Sequence, residues 1–248
     1  MFDLSSSIAI VTGGTRGIGL AIARDLLAAG GKVLVNGRSS TPEAEELLLA
    51  YGADRVLLAY ADVAEPASAA SLVAQAVDRF GGCNVLVHSA GGPAPGKAID
   101  ISEDDWMAAF RIHVHPVFHL FRAAHPYLAQ SGGAVLLVSS VSGLRGCPGT
   151  VAYQTVKGAL IPMAKALALD HGTEGIRVNV LAPGIIRTRF HQAMTPEAKA
   201  HNLEKRIPLR REGSVEDVSA LGLELIRNEF VTGETFTIDG GMSMRITG

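Results

Sequence analysis

The sequence predicts an α/β fold in which one doubly wound parallel sheet, flanked by helices, forms a single domain over residues 1–248. Short apolar runs rich in β-branched residues alternate along the chain with longer amphipathic segments, as in successive βαβ units. A glycine-rich turn joins the first apolar run to the first amphipathic segment. The chain is also long enough for one domain of this kind to bury a substantial core.

Each predicted strand is a short apolar run bounded by turn-forming residues. The runs cover residues 8–12, 32–36, 56–60, 85–88, 134–139, 177–181 and 235–238. The predicted helices cover residues 17–28, a segment opening at 41, about 65–80, 102 towards 130, 151–171 and 214 to about 227. Thr41, Ser102 and Ser214 are suited to the N-cap position of their helices. Pro162 lies inside a predicted helix, and we expect it to interrupt and bend that helix.

The longest irregular stretch covers residues 184–213. It is too long for an ordinary connection, so it predicts a substrate loop or lid. A plain surface loop is the alternative interpretation.

Composition excludes several classes of protein. A hydrophobic content of 48% with 19% charged residues excludes a disordered chain, and a net charge of −2 gives no electrostatic footprint for nucleic acid or an anionic membrane. No apolar run approaches the roughly 20 residues that span a bilayer, and the N-terminus lacks the features of a signal peptide. The two cysteines, Cys83 and Cys147, make no disulfide framework. We therefore expect a cytoplasmic protein without nucleic-acid or membrane partners.

The first strand-to-helix turn has the composition of a dinucleotide-binding site. Glycines at this point allow the backbone to approach a pyrophosphate, and a helix N-terminus offers unpaired N–H groups. The spacing is G-x3-G-x-G, so a purely structural tight turn is the alternative. The candidate cofactor-binding residues of the turn are Gly13, Thr15, Arg16, Gly17, Ile18 and Gly19.

The end of the second strand favours NADP over NAD. An NAD site usually places an acid there to bind the ribose 2′-hydroxyl, whereas this chain has Arg38. Arg38 is suited to pair bidentately with a 2′-phosphate, with Arg16 assisting from the glycine turn. The alternative is that both arginines are exposed surface charges and that the cofactor is NAD.

Tyr153 and Lys157 stand four residues apart on a predicted helix, so their side chains lie on one face about one turn apart. An adjacent ammonium favours the phenolate, which lowers the pKa of a tyrosine from about 10 and suits it to acid/base catalysis. Ser140, which precedes them, is a candidate to hydrogen-bond the substrate oxygen. A solvated helix face is the alternative for the Tyr–Lys pair alone.

In their order and spacing these features resemble the short-chain dehydrogenase/reductase family over essentially the whole chain. The matching signatures are TGGTRGIG at residues 12–19, Asp62-Val63, Ala90-Gly91, Ser140 thirteen residues before Tyr153, Lys157, RVNV at 177–180 with Pro183-Gly184, and DGG at 239–241. The resemblance implies a Rossmann-like domain, a homotetramer or homodimer built on two long central helices, and hydride exchange between a nicotinamide and an alcohol or carbonyl.

The resemblance also implies a role for individual residues. Tyr153 would be the acid/base, Lys157 would lower its pKa and hold the nicotinamide ribose, and Ser140 would polarise the carbonyl. Further cofactor contacts would come from Asp62, Val63, Ala90, Gly91, Pro183, Gly184, Ile186 and Thr188. Without the family, Asp62 reads as a strand-end turn residue and Thr188 as an ordinary loop hydroxyl.

The chain departs from the family pattern at two places. The family's Asn-Asn-Ala-Gly reads His88-Ser89-Ala90-Gly91 here, and the position of the family's fourth catalytic residue, an Asn, is His113. In the family that Asn acts through its main chain in a proton relay, a role that a histidine can keep, and Pro116 would still distort the helix. We expect activity with an altered relay; a packed core histidine is the alternative.

Two further residue groups carry side chains that could take part in chemistry. His115 and His119 have helical spacing, but His113 falls on another face and no carboxylate or cysteine completes a tetrahedral set, so no metal is expected. Cys147 is expected to border the pocket as a small apolar wall residue and not as a nucleophile.

These observations predict an NADP-preferring oxidoreductase that interconverts an alcohol and a carbonyl. A catalytically silent dinucleotide-sensing protein is the alternative. The substrate is left open between a sugar or polyol, slightly favoured by a polar loop, and a 3-oxoacyl thioester. Residues expected to set this choice are Gly92 to Pro95, Leu144 to Cys147, and Arg187, Arg189, Phe190, His191 and Met194 of the loop, with Arg145 and the loop arginines suited to an anionic group.

Overall fold

The computed structural model describes residues 1–188 and 194–244. Its strands are β1 (Ile8–Thr12), β2 (Lys32–Gly37), β3 (Val56–Tyr60), β4 (Val85–His88), β5 (Ala134–Val138), β6 (Arg177–Pro183) and β7 (Thr235–Ile238). They form one sheet in the order β3-β2-β1-β4-β5-β6-β7, and every neighbouring pair is parallel. The register places Ile10 of β1 beside Leu34 of β2 and Leu86 of β4. The predicted doubly wound, Rossmann-like sheet is therefore confirmed.

The helices are α1 (Gly17–Ala28), α2 (Pro42–Tyr51), α3 (Pro66–Phe80), α4 (Glu103–His113), α5 (His115–Ser131), α6 (Val151–His171), α7 (Pro196–His201) and α8 (Val215–Arg227). The three predicted N-caps are confirmed, because the side chains of Thr41, Ser102 and Ser214 each accept a hydrogen bond from the first turn of their helix.

The core lies on both faces of the sheet. One layer packs α3, α5 and α6 on the sheet through residues such as Leu72, Leu120 and Leu160, and the other packs α1 and α8 through residues such as Leu26 and Leu225. Because helices cover both faces, every residue of β5 and β6 is buried. Each fully buried leucine contributes about 1.5–3 kcal/mol relative to exposure.

The segment that the sequence predicts as one long helix from Ser102 is two helices. They meet at Val114, which is both the C-cap of α4 and the N-cap of α5. Pro116 lies in the first turn of α5, where its missing N–H costs little, whereas in one continuous helix that N–H would have bonded Ile112. The break brings the end of α4, with His113, towards the carboxyl end of the sheet.

The helix predicted over residues 151–171 is confirmed as α6, which continues through Pro162 as one helix. One expectation about the segment after β6 needs correction. Residues 184–213 are not irregular throughout, because they contain α7 and a π-helical turn, Asn202–Arg206. Arg189, Phe190 and His191, which the sequence suggests as specificity residues, lie outside the described residues. No helix in the described part of the chain is long and apolar enough to cross a bilayer.

Candidate active site

A cavity of about 720 Å³ opens at the carboxyl ends of β1, β4, β5 and β6. The strand order reverses between β1 and β4, and open α/β sheets bind their ligands at such a point. Every candidate catalytic or cofactor-binding residue named from the sequence lines this cavity except Gly19. The topology therefore collects candidate residues from eight separate segments of the chain at one place.

The glycine turn forms one wall of the cavity. Gly17 has φ +58°, and a Cβ added there would meet only Thr188 Cγ2, at 3.7 Å, so glycine leaves open space at the start of α1. The N-cap residue of α1, Arg16, makes no side-chain capping hydrogen bond. The N–H groups of the first turn, together with the positive end of the helix dipole, are therefore available to an anionic ligand.

Gly19 has a different role from the one expected. A Cβ at Gly19 would lie 2.4 Å from the carbonyl oxygen of Gly13, so the glycine lets α1 pack directly on the turn. Gly19 therefore does not line the cavity; it supports the glycine turn by packing against Gly13.

The end of the cavity beside the carboxyl end of β2 carries two exposed arginines. Arg16 and Arg38 line it, and no ion pair joins either of them to a carboxylate of the described residues. Asp62 lines the same end and accepts a hydrogen bond from the N–H of Ala64 at 2.9 Å. This end of the cavity therefore offers positive charge to a phosphate.

Ser140, Tyr153 and Lys157 converge at the other end. Ser140 follows β5 and caps a 3₁₀ turn, Val141–Gly143, which lies against α6. This close approach needs glycine, because a Cβ at Gly143 would lie 2.8 Å from the backbone of Gly158. The approach brings Ser140 to the first turns of α6, which carry Tyr153 and Lys157.

Burial is the largest influence on the pKa values of Tyr153 and Lys157. Burial raises the pKa of Tyr153 above its ordinary value, and a hydrogen bond with Ser140 opposes that change. The side chain of Lys157 donates to the carbonyl of Val138 at 2.8 Å, and burial lowers its pKa to about 8. The expected lowering of the Tyr153 pKa by Lys157 is not what this structure gives, because burial of the phenol is the largest influence and raises the pKa. Tyr153 is therefore protonated at neutral pH.

His113 is buried against the backbone of the cavity wall. Its Nε2 lies 3.1 Å from the carbonyl oxygen of Gly92, and its ring centroid is 5.8 Å from that of Tyr153 in an edge-on contact. A Cβ at Gly91 would lie 2.4 Å from the imidazole, so only glycine fits there. Burial, then the charge of Lys157 and then His88, lower the pKa of His113 to about 2. The imidazole is neutral near neutral pH, as a packed histidine would be.

His88 occupies the other position where the family pattern fails. Its Nδ1 is 2.9 Å from the hydroxyl of Thr12, which also accepts a hydrogen bond from the N–H of Ala90 at 3.3 Å. Burial lowers the pKa of His88 to about 3, and the nearby charge of Lys157 acts in the same direction. His88 and His113 are thus both neutral and lie near the buried Lys157. His88 supports Ala90 through the hydroxyl of Thr12, and His113 contacts Gly92 directly.

The substrate end contains residues that the sequence analysis missed. Cys147 and Met194 were expected there and line the cavity. Thr150, Asn202, Arg206 and Met242 also line it but belong to no motif, and only the fold brings them together. Arg206 donates to the side chain of Asn202 at 2.9 Å.

Two of the arginines that the sequence suggests for substrate contact, Arg145 and Arg187, do not line the cavity. Arg145 is exposed and does not line the cavity. Arg187 lies 3.4 Å from the carboxylate of Glu212, and its side chain is 76% exposed. Arg206, which the sequence analysis did not name, lines the cavity.

Comparison with known proteins identifies the family. The family model described as "Enoyl-(Acyl carrier protein) reductase" matches residues 13–243. The chain is also 32% identical over 249 residues to "Dehydrogenase/reductase SDR family member 4" of Caenorhabditis elegans, covering 96% of each chain. The chain belongs to the short-chain dehydrogenase/reductase family.

Other short-chain dehydrogenase/reductases are equally similar. A 3-oxoacyl-[acyl-carrier-protein] reductase of Synechocystis is 33% identical over 251 residues, covering 98% of this chain and all of the relative. The solved structure of a mutant short-chain dehydrogenase/reductase from Serratia marcescens has a TM-score of 0.90 at 30% identity, covering 98% of this chain and 100% of that chain. The protein is thus a short-chain oxidoreductase of a family that uses nicotinamide cofactors.

Proposed function

We propose that this short-chain dehydrogenase/reductase interconverts a carbonyl compound and its alcohol with NADP as the preferred cofactor. The convergence of Ser140, Tyr153 and Lys157 at one end of a dinucleotide-sized cavity carries the proposal. These three side chains supply a hydrogen bond, a proton and a positive charge to one reacting oxygen.

The cavity fits a dinucleotide along its whole length. Gly17 leaves open space at the N-terminus of α1, where a pyrophosphate is stabilised by free N–H groups. Arg16 and Arg38 lie beyond it, and their guanidinium groups suit the 2′-phosphate of NADP. Asp62, Val63, Ala90 and Gly91 line the adenosine end, and Pro183, Gly184, Ile186 and Thr188 line the nicotinamide end.

The chemistry divides between the cofactor and the chain. The bound nicotinamide supplies or accepts the hydride. Tyr153, protonated at neutral pH, gives its proton to the carbonyl oxygen in the direction of reduction, and Ser140 hydrogen-bonds the same oxygen. Lys157, buried beneath Tyr153, stabilises the phenolate that results. In the direction of oxidation the same groups act in reverse, with the phenolate as base.

The substrate end favours an acyl group with an anionic or polar end. Pro93, Ala94 and Val141 give the wall an apolar surface, whereas Asn202 and Arg206 supply hydrogen bonds and a positive charge. A 3-oxoacyl thioester combines these features, and the Synechocystis relative is named for such a substrate. A sugar or polyol is the second candidate, because Thr150 and Asn202 give this part of the cavity wall a polar character.

A substrate panel with both cofactors tests the function. Absorbance of the reduced nicotinamide would be followed with 3-oxoacyl thioesters, sugars, polyols and simple ketones. We expect turnover with NADPH and a higher kcat/KM for a 3-oxoacyl thioester than for an uncharged ketone of equal length. Tight NADPH binding without turnover of any substrate would instead favour the dinucleotide-sensing alternative.

Arg206→Gln separates the substrate classes. Loss of the charge should raise KM for an anionic thioester by about tenfold, the size of one charge-assisted hydrogen bond, and leave an uncharged ketone unchanged. Arg187→Gln is the matched control, because that arginine is exposed and lies outside the cavity. Equal effects of both variants would remove Arg206 from the substrate site.

We also propose a cytoplasmic homotetramer or homodimer that acts on a small molecule. Exposed apolar side chains on the two long helices support association, namely Phe118 on α5 at 47% and Leu169 on α6 at 84% exposure. Light scattering of the purified protein measures the state directly, and a monomer at all concentrations would contradict the proposal.

A further inference from the structure

A cluster of metal-ligating side chains lies far from the catalytic cavity. His125 on α5, His171 at the end of α6 and Glu174 in the following 3₁₀ turn bring their ligand atoms within 4.8 Å of one another. His171 stands eighteen residues beyond Tyr153 on the same helix, which corresponds to about 27 Å along the axis at 1.5 Å per residue. The cluster therefore has no part in the hydride chemistry.

The ligand atoms lie close enough to converge on one metal ion, because the widest of their separations is within 4.8 Å. Nε2 of His125 is 2.6 Å from one carboxylate oxygen of Glu174, and Nδ1 of His171 is 3.3 Å from the other. Ligands on a tetrahedral zinc ion with bonds of about 2.0–2.1 Å stand about 3.3 Å apart. The His171 pair already has this separation, and the His125 pair needs a shift below about 1 Å. Such a shift is open to Glu174, which is 37% exposed.

Packing holds the two imidazoles in place. The ring of Phe121 is buried, with its centroid 4.9 Å from that of His171 and 6.0 Å from that of His125. The two imidazole centroids are 4.9 Å apart and edge-on. The ring of Phe121 therefore packs against both imidazoles, whose nitrogens point towards the same carboxylate although they belong to different helices.

The local charge suits a cation. Glu174 supplies a carboxylate oxygen, which is one of the ligand types that zinc takes in proteins. His171 is also the last residue of α6, and the negative end of a helix dipole favours positive charge there.

We propose that His125, His171 and Glu174 form a zinc-binding site that fastens α5 to the connection between α6 and β6. Two imidazoles and one carboxylate are a ligand set of open zinc sites, with water in the fourth position. The site joins two elements that are distant in sequence, so an ion bound only by the folded chain would stabilise the fold.

A zinc titration of tag-free protein tests the site. After treatment with a chelator and its removal, Zn²⁺ would be titrated in competition with a chromophoric chelator. We expect one ion per chain and a higher Tm with Zn²⁺. His125→Gln and Glu174→Gln should each weaken binding by at least about tenfold, which is the size of effect even for residues that only support metal ligands.

His115→Gln is the matched control, because His115 is an exposed histidine at the start of the same helix. It should bind zinc as the wild type does. Circular dichroism would show that each variant folds, and the visible spectrum of bound Co²⁺ would report nitrogen and oxygen ligation independently. The absence of saturable binding, or equal affinities for the triad variants and His115→Gln, would overturn the proposal.

Discussion

Nζ of Lys157 lies 5.9 Å from the centroid of the Tyr153 ring, yet its hydrogen bond goes to the carbonyl of Val138. The one-turn spacing of the two residues therefore brings the charge close to the ring. Because Tyr153 is buried and its pKa is raised, the phenol is protonated and can donate a proton. The lysine holds the charge that a phenolate needs after the proton has left.

Tyr153→Phe removes the phenolic hydroxyl that donates the proton and keeps the aromatic ring. We expect kcat to fall by about 10²–10⁴, the usual contribution of a general acid, while the dissociation constant of NADPH stays within about twofold. Steady-state kinetics and a cofactor titration by fluorescence measure the two quantities. Tyr127→Phe on α5 is the matched control and should keep full activity, since Tyr127 does not line the cavity. Substantial turnover by Tyr153→Phe would remove Tyr153 from its proposed role.

Arg38→Gln tests the choice of cofactor. Loss of the guanidinium should weaken NADP binding by about tenfold or more, because one charge-assisted hydrogen-bonded pair is worth roughly 1.5–3 kcal/mol, and should leave NAD binding almost unchanged. Isothermal titration with both cofactors measures the ratio. Arg24→Gln, an exposed arginine on α1 outside the cavity, controls for the change in net charge. Equal losses for NADP and NAD would count against a 2′-phosphate contact.

The fold was largely predictable because its signals are local. Strands such as Ile8–Thr12 and N-caps such as Ser214 can be predicted from a few neighbouring residues. The break at Val114 was partly visible, since Pro116 is in the sequence, but whether a proline kinks one helix or starts a second depends on what packs around it. The same holds for Pro162, which stays inside one helix.

The site was predictable where motifs exist and not elsewhere. The glycine turn and the Ser–Tyr–Lys group have fixed spacings, and all but Gly19 reach the cavity. Arg206 and Met242 belong to no motif, although Met242 directly follows the DGG signature, and tertiary packing brings both to the cavity. The pKa of Tyr153 was misjudged because burial is a property of the fold, whereas the spacing to Lys157 shows only that a charge is near.

His88 should make the fold sensitive to acid. Burial keeps its folded pKa at about 3, against 6.5 in an unfolded chain, so the unfolded state binds the extra proton as pH falls below 6.5. The free energy of unfolding is therefore unaffected by His88 above pH 6.5. Between pH 6.5 and pH 3 it falls by up to about 1.4 kcal/mol per pH unit. Urea denaturation across this range measures the slope. His88→Asn, which can keep the hydrogen bond to Thr12 without titrating, should have a shallower slope, and identical slopes would contradict this account.

Substitutions of His113 distinguish a proton-relay role for this residue from a packing role. Its pKa of about 2 makes the imidazole a poor proton carrier, whereas its contact with Gly92 supports the cavity wall. His113→Gln places an amide nitrogen near the position of Nε2 and should keep kcat and its pH profile close to wild type. His113→Ala leaves the carbonyl of Gly92 without that partner, so we expect a loss of about 1–3 kcal/mol in stability and a higher KM for the cofactor.

The comparison of these two variants decides between the roles. If His113 carried protons, Gln and Ala would lower kcat alike, because neither side chain titrates near neutral pH. If it supports the wall, Gln rescues what Ala loses, and the loss appears in cofactor KM and in stability more than in kcat. Steady-state kinetics over a range of pH, with denaturant unfolding of both variants, measures all three quantities. We expect rescue by Gln, because the hydrogen bond to Gly92 and the fit against Gly91 are the contacts that the imidazole makes with the cavity wall.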